Sequence, residues 1–157
     1  MTQHEPASAG AEVTIDAAPA AVYALITDLP TLAELADETE AMTWCKGTTP
    51  QAGSVFKGRN RNGWRRWTTT CTVTDAEPGR VFAFDVKSTI FPVAHWRYDI
   101  EPIDGGGCRV TEQTWDRRAA WFRKPSGLAT GVSDRQSTNA KHINATLQRL
   151  KQRAERG

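Results

Sequence analysis

Apolar and polar residues recur with helical spacing over the last part of the chain, from Val132 to Glu155. The second half of the apolar stripe carries Ile143, Leu147 and Leu150, which are large enough to anchor a helix in a core. The first half carries small or polar residues instead, namely Val132, Gln136, Asn139 and Ala140. The pattern predicts one long helix. Its first half, which offers little apolar volume, either covers a cavity or lies near solvent.

The beginning of the chain predicts a strand followed by two short helical segments. Val13 and Ile15 alternate with polar neighbours between residues 11 and 16, which is typical of a strand. Pro19 suits the first turn of a helix that runs to Asp28, and Pro30 is expected to end it. A second helical piece or turn over residues 32–36 and a strand over residues 39–45 complete this part.

The clearest turn signal is the pair Asn62-Gly63, which lies between two alternating segments. Asn-Gly is the preferred sequence of a two-residue type I′ loop, so we expect it to join two antiparallel strands. This register places Gly58 opposite Trp67. It assigns one set of side chains to the inner face of the sheet: Phe56, Gly58, Asn60, Arg65, Trp67, Thr69, Cys71 and Val73.

Three further segments, over residues 81–86, 94–100 and 108–115, place apolar residues at every second position. If Cys108 and Val110 point inward in the last segment, Glu112 and Thr114 do so as well. The order is a strand, two helical pieces, six strands joined by short turns, and a long helix. This order predicts an α+β fold with a curved antiparallel sheet of seven strands and the helices on one face.

Length and charge limit the classes of function. A chain of 157 residues with a net charge of +2 is expected to form one domain over residues 11–155, after a disordered lead-in over residues 1–10. No secretory signal and no bilayer-spanning run is visible, so a cytoplasmic location without stable membrane insertion is expected. The near-neutral charge argues against nucleic acid. The basic outer face of the Asn62-Gly63 hairpin leaves single-stranded RNA as a less favoured alternative.

The cysteines and histidines give no sign of a metal centre. The three cysteines, Cys45, Cys71 and Cys108, are far apart in sequence and form no CxxC pair, and the three histidines have no zinc-type spacing. No phosphate-binding glycine loop, nucleophile motif or catalytic triad is visible either. We therefore expect neither a metal nor a cofactor.

Glu112 is the most informative polar residue, because a carboxyl group on an inner face must be paired, hydrogen-bonded or neutral. Arg65 and Tyr98 are the candidate partners. Glu112 is then either a structural group or one that anchors a ligand or transfers protons, with Tyr98 as its partner in that chemistry. Inward aromatic residues are consistent with either a plain core or a stacking surface for a ligand.

Several short motifs also suggest a family. They are Ile15-Asp16-Ala17-Ala18-Pro19 before Val22-Tyr23, Gly53-Ser54-Val55-Phe56, Arg61-Asn62-Gly63 with Trp67, Glu77-Pro78-Gly79-Arg80, Trp96-Arg97-Tyr98, Gly105-Gly106 before Arg109-Val110-Thr111-Glu112, and Thr146-Leu147-Gln148-Arg149-Leu150-Lys151. In this order the chain resembles the START/Bet v 1-like (SRPBCC) superfamily, in its polyketide cyclase/dehydrase and lipid-transport branch. The resemblance implies a helix-grip fold, in which a sheet wraps around the C-terminal helix and leaves a deep cavity for a small molecule.

We therefore expect a carrier or binding protein for a small hydrophobic or amphipathic molecule, polyketide-like or lipid-like. The alternative is a polyketide cyclase/dehydratase that uses Glu112 and Tyr98 as acid/base groups. The residues expected to contact the ligand are Phe56, Asn60, Arg65, Trp67, Thr69, Phe82, Phe84, Trp96, Tyr98, Glu112, Gln136 and Ala140. The sequence leaves the oligomeric state open, as a monomer or a homodimer. It also leaves open whether the connection over residues 115–132 forms a lid, an interface or a simple turn.

Overall fold

The computed structural model describes residues 5–119, 121 and 135–156. The elements follow in the order β1 (Ala9–Ile15), α1 (Pro19–Thr27), α2 (Leu29–Leu35), β2 (Thr39–Lys46), β3 (Val55–Asn62), β4 (Arg65–Glu77), β5 (Val81–Ser88), β6 (Phe91–Pro102), β7 (Cys108–Asp116) and α3 (Arg135–Arg156). Helix α3 is the long helix that the C-terminal stripe predicts. Residues 132–134 of that prediction lie outside the described residues.

The seven strands form one curved antiparallel sheet in the order β1-β7-β6-β5-β4-β3-β2. The first two strands of the chain therefore lie at opposite edges, and α1 and α2 connect them across one face. Helix α3 packs on β1 and β7 and also contacts both short helices. This arrangement confirms the predicted α+β helix-grip fold.

Helices α1 and α2 are separated by Asp28, whose backbone is extended. The Asp28 carboxylate caps α2 and accepts hydrogen bonds from the Thr31 hydroxyl at 2.5 Å and the Thr31 amide at 3.3 Å. Helix α2 begins at Leu29, three residues before the predicted start. The prediction was wrong because Pro30 lies in the first turn of α2. Backbone N–H groups in the first turn make no hydrogen bond within the helix, so proline, which lacks one, is tolerated there.

The hairpin between β3 and β4 has a different register from the predicted one. Asn62 pairs with Arg65, so Gly63 and Trp64 form the two-residue loop. Gly63 has a φ of +64°, and a positive φ at the first loop position alone is the type II′ arrangement that favours glycine there. Gly58 consequently lies opposite Thr69 rather than Trp67. The shift is two residues, so each side chain stays on its predicted face.

Strand β1 begins at Ala9, two residues earlier than the sequence pattern indicates. The residues just before it contact the end of β7. The Glu5 carbonyl accepts a hydrogen bond from the Trp115 indole at 2.8 Å, and the Glu5 carboxylate lies 2.6 Å from the Arg117 guanidinium. Pairing with β7 therefore extends β1 toward the N-terminus.

The core fills the space beneath the second half of α3. Ile143, Leu147 and Leu150 are at most 1% exposed and share one buried cluster with residues of β1, α1 and β7. The members from those three elements include Ile15, Val22, Ile26 and Val110. These buried contacts hold this part of α3 against the sheet.

Candidate functional site

A cavity of about 380 Å³ lies between the inner face of the sheet and the first turns of α3. Its volume falls within the range of small-molecule sites in proteins. Most of its apolar lining comes from the sheet and from α2: Leu32, Ala36, Met42, Trp67, Cys71, Phe84, Val86, Val93, Ala94 and Trp96. Helix α3 contributes Asn139, His142, Ile143 and Thr146.

The cavity exists because the two halves of α3 differ in the size of their inward side chains. Leu147 and Leu150 are fully buried in the core cluster, whereas the smaller, polar side chains of Asn139 and Thr146 line the cavity. The uneven stripe allowed two alternatives for the first half of the helix, a cavity or solvent beneath it. In the structure the first half covers a cavity.

Glu112 and Tyr98 form the polar centre of the cavity wall. They lie opposite each other on β7 and β6, and each is only 3% exposed. The Tyr98 hydroxyl donates a 2.7 Å hydrogen bond to Glu112 Oε2. Glu112 Oε1 is buried and has no hydrogen-bond partner among the described residues. Tyr98, and not Arg65, is therefore the partner that holds Glu112.

Burial favours the neutral, protonated form of Glu112. Loss of solvent raises the pKa of Glu112 to about 8, although the hydrogen bond from Tyr98 opposes this rise. Burial also raises the pKa of Tyr98, and the neighbouring Glu112 raises it further. Since Tyr98 donates to Oε2, a proton carried on Oε1 makes Glu112 a hydrogen-bond donor that has no acceptor in the described part of the chain.

Asn60 organises a second polar patch on the far side of the cavity. Its amide nitrogen lies 3.1 Å from the Thr69 hydroxyl, and its oxygen accepts from the Thr39 hydroxyl at 3.2 Å. A Cβ added at Gly58 would come within 3.1 Å of the Thr69 hydroxyl oxygen. The small residue at position 58 therefore leaves room for this network across β2, β3 and β4.

Charged residues line the cavity where α2 leads into β2. The Glu38 carboxylate pairs through Oε1 with Arg135 of α3, and His142 Nδ1 lies 3.5 Å from the same oxygen. Asp37 pairs with Arg149 and lies 3.7 Å from His142 Nε2. These contacts, which we call the ionic rim, join the α2–β2 connection to α3.

A second ion pair lies at the end of β7, where Arg118 donates to both carboxylate oxygens of Asp116 at 2.9 and 3.0 Å. Both residues line the cavity, and Arg118 is 8% exposed. Within the described ranges, no three metal-ligating side chains converge on one point. Nor does any described helix combine the length and apolar character needed to cross a membrane.

Many of the residues predicted from sequence to contact a ligand do line this cavity. They are Asn60, Trp67, Thr69, Phe84, Trp96, Tyr98 and Glu112. All of them lie on β3 to β7, where alternation along a strand decides which side chains point inward.

The other predicted contacts lie elsewhere. Phe56 and Phe82 are fully buried in the core, and Phe56 packs edge-on against Trp44 and Phe84. Arg65 stands at the hairpin end with its guanidinium carbon 4.4 Å from the centre of the Trp64 ring. Ala140 lies about 100° around α3 from Asn139, outside the stripe that faces the cavity. The side chain of Gln136 lies outside the described part of the structure.

Sequence reasoning missed the ionic rim. The available signal was the spacing of Arg135, His142 and Arg149, which recur every seven residues and so share one face of α3. A row of basic side chains on one helix face is stabilised by nearby carboxylates, and the adjacent residues Asp37 and Glu38 provide them.

Comparisons with known proteins agree with this architecture. The family model described as polyketide cyclase / dehydrase and lipid transport matches residues 6–155. No curated protein matches the chain in sequence.

Solved structures of several kinds share the fold. The polyketide_cyc-like protein Cgl2372 from Corynebacterium glutamicum is 26% identical, with a TM-score of 0.63 over 93% of this chain and 90% of that one. The di-domain ARO/CYC StfQ from the steffimycin biosynthetic pathway is 12% identical, with a TM-score of 0.73 over 94% of this chain and 50% of that one. The ginseng major latex-like protein 151 from Panax ginseng is 10% identical, with a TM-score of 0.67 over 92% and 95%.

Proposed function

Because the chain belongs to the polyketide cyclase/dehydrase and lipid transport family, we propose that it binds a small hydrophobic or amphipathic molecule in the cavity beneath α3. The protein then acts as a carrier or binding protein. The cavity is the main support for this proposal. Its wall combines indole, phenyl and polar side chains, which suits a flat or apolar ligand that carries some polar groups.

The residues proposed to contact the ligand divide into two kinds. Trp67, Phe84 and Trp96 supply apolar area, and Tyr98 with Glu112 supplies a hydrogen-bonding point on the wall. A buried polar point inside an apolar cavity orients a ligand, because a misplaced polar group would lose its hydrogen bonds to water without replacement.

Binding of the neutral fluorescent dye N-phenyl-1-naphthylamine tests the proposal. We expect dye fluorescence to rise with saturation at one site per chain. Ala94→Phe, which places a ring in the cavity, should weaken binding at least tenfold. Thr68→Phe adds the same ring on the exposed outer face of β4 and serves as the control. Equal binding by both variants would place the dye outside the cavity.

Native mass spectrometry of protein purified from its own host identifies the natural ligand. We expect a retained mass that is released when the protein is denatured. Ala94→Phe purified in the same way should lose this mass, whereas Thr68→Phe should keep it.

A second candidate function is cyclisation or dehydration of a polyketone, and the Glu112–Tyr98 pair is the observation that favours it. A neutral carboxylic acid can protonate a carbonyl oxygen, and its conjugate base can remove a proton from the adjacent carbon. Incubation with a linear polyketone, followed by mass and absorbance detection of a cyclised product, distinguishes turnover from binding. Product formation that disappears in Glu112→Gln supports the enzyme, and binding without product supports the carrier.

A further inference from the structure

We propose that the ligand is uncharged and polar at two places, with a hydrogen-bond acceptor such as a carbonyl for Glu112 and a donor such as a hydroxyl for Glu38. This inference rests on the proposed function, because it assigns the chemical groups of the molecule that the cavity receives. It also assigns Glu38 to the site, which no sequence motif indicates.

The first observation is a pair of buried oxygens without partners. Among the described residues, three buried side-chain atoms lack a hydrogen-bond partner: Tyr23 Oη, Glu38 Oε2 and Glu112 Oε1. Two of the three belong to residues that line the cavity. A buried polar atom without a partner costs stability, and since both residues line the cavity, a ligand there is the candidate source of the missing partners.

The two carboxyl groups need opposite partners. Glu112 is buried and accepts a hydrogen bond from Tyr98 at Oε2, so in its neutral form it can donate from Oε1. It therefore requires an acceptor on the ligand. A carboxylate on the ligand is disfavoured there, because among the described residues no cation is paired with Glu112 to offset its burial.

Glu38 differs because it is ion-paired. Its Oε1 is engaged by Arg135, with His142 Nδ1 at 3.5 Å, and an ionised carboxylate only accepts hydrogen bonds. Oε2 therefore requires a donor, which a hydroxyl or an N–H group supplies.

The positions of the two groups in the sheet separate them across the cavity. Glu112 lies on β7, next to the β1 edge, and Glu38 directly precedes β2 at the opposite edge. The cavity walls on the strands between them carry Trp67, Phe84 and Trp96. A ligand that meets both groups thus carries its acceptor and its donor on opposite sides of an aromatic or other flat apolar body.

Five naphthalenes test the pattern with the full chain: 6-acetyl-2-naphthol, 2-acetylnaphthalene, 2-naphthol, 2-ethylnaphthalene and 6-hydroxy-2-naphthoate. We expect 6-acetyl-2-naphthol to bind tightest by calorimetry at pH 6.5. Loss of either polar group should cost roughly fivefold to tenfold, which is the usual net worth of one hydrogen bond. The carboxylate compound should bind more weakly than the ketone by at least as much.

Variants assign each group to its partner. Glu112→Leu should erase the advantage of the acetyl compounds, whereas Glu112→Gln keeps a neutral donor and should retain it. Glu38→Leu should erase the advantage of the hydroxyl compounds. Glu34→Gln, which breaks an exposed ion pair between α2 and Arg153 of α3, is the matched control and should change neither preference.

The outcomes separate this inference from the proposed function. If the naphthalenes, including 2-ethylnaphthalene, do not bind, both proposals fail. If all five bind equally, the cavity binds apolar molecules but the assignment of the two polar groups is wrong. Binding of 6-hydroxy-2-naphthoate as tightly as the ketone also overturns the requirement for an uncharged ligand.

Discussion

The two halves of α3 face the same sheet but produce opposite results. Leu147 and Leu150 lie in the buried core cluster, whereas Asn139 and His142 line the cavity. The backbone is one continuous helix across both halves, so the difference lies entirely in the side chains. A helix-grip protein thus obtains its rigid core and its cavity from one element by varying residue size along it.

The comparison also separates two kinds of polar group. In the packed half, the fully buried side chains of α3 are apolar, and its polar side chains pair at the surface, as Arg153 does with Glu34. In the open half it brings Arg135 and His142 to the ionic rim, and the sheet presents Glu112. The polar groups that line the cavity, unlike those at the surface of the packed half, lie where a ligand can replace water as their partner.

The largest effect expected of one substitution at a fixed pH is on stability in the packed half. Leu147→Ala should lower the free energy of unfolding by about 3 kcal/mol, because it opens a void in a fully buried cluster. Thr146→Ala, one residue earlier but facing the cavity, should cost less than about 1 kcal/mol, because that space is already empty. Urea titrations of both variants measure the difference. Equal losses would contradict the assignment of Leu147 to the packed core and of Thr146 to the cavity wall.

The next effect concerns pH. Glu112 has a folded pKa of about 8, above the ordinary value of 4.5, so between these values the folded protein binds a proton that the unfolded chain releases. Stability from this group is therefore highest at low pH and declines by up to about 1.4 kcal/mol per pH unit until it levels off above about pH 8.

Glu112→Gln removes this titration. The difference in unfolding free energy between the variant and the parent chain should shift in favour of the variant from pH 5 to pH 8, as measured by urea titration at several pH values. A difference that stays constant with pH would mean that Glu112 is ionised in the folded protein. The matched control is Glu101→Gln, at an exposed position near the end of β6, where the carboxylate lies 3.5 Å from the Arg109 guanidinium.

A smaller effect is expected at Tyr98. The hydrogen bond from Tyr98 lowers the pKa of Glu112, so Tyr98→Phe should move the titration midpoint of Glu112 above its present value of about 8. The variant should also lose about 1 kcal/mol of stability at pH 6, the usual net value of one hydrogen bond. Carboxyl-carbon NMR of labelled glutamate follows the midpoint. A midpoint that moves downward would contradict the assigned direction of this hydrogen bond.

Much of the fold could be predicted from sequence because strand alternation is a local signal. The inward positions of Tyr98 and Glu112 follow from their own strands, and even a register error of two residues left the faces of β3 and β4 correct. The error arose because Asn62-Gly63 and Gly63-Trp64 both offer a glycine for the loop. Local sequence alone did not decide between types I′ and II′.

The rest of the site depends on contacts between distant parts of the chain. The ionic rim joins residues 37–38 to positions 135–149, and only the docking of α3 on α2 brings them together. The choice of Tyr98 over Arg65 as the partner of Glu112 likewise required the strand order, in which β6 neighbours β7 and β4 does not.

The smallest expected effect contrasts the ionic rim with an ion pair in water. Glu34 and Arg153 join α2 to α3 at 3.1 Å, but their side chains are 65% and 45% exposed. Glu34→Gln should therefore change the free energy of unfolding by less than about 0.5 kcal/mol, and high salt should remove even that change. Glu38 and Arg135 join the same two regions with side chains at most 16% exposed, so Glu38→Gln should cost more and depend less on salt. Urea titrations at low and high salt measure both. A larger loss at Glu34 than at Glu38 would mean that the exposed pair, and not the ionic rim, holds α2 against α3.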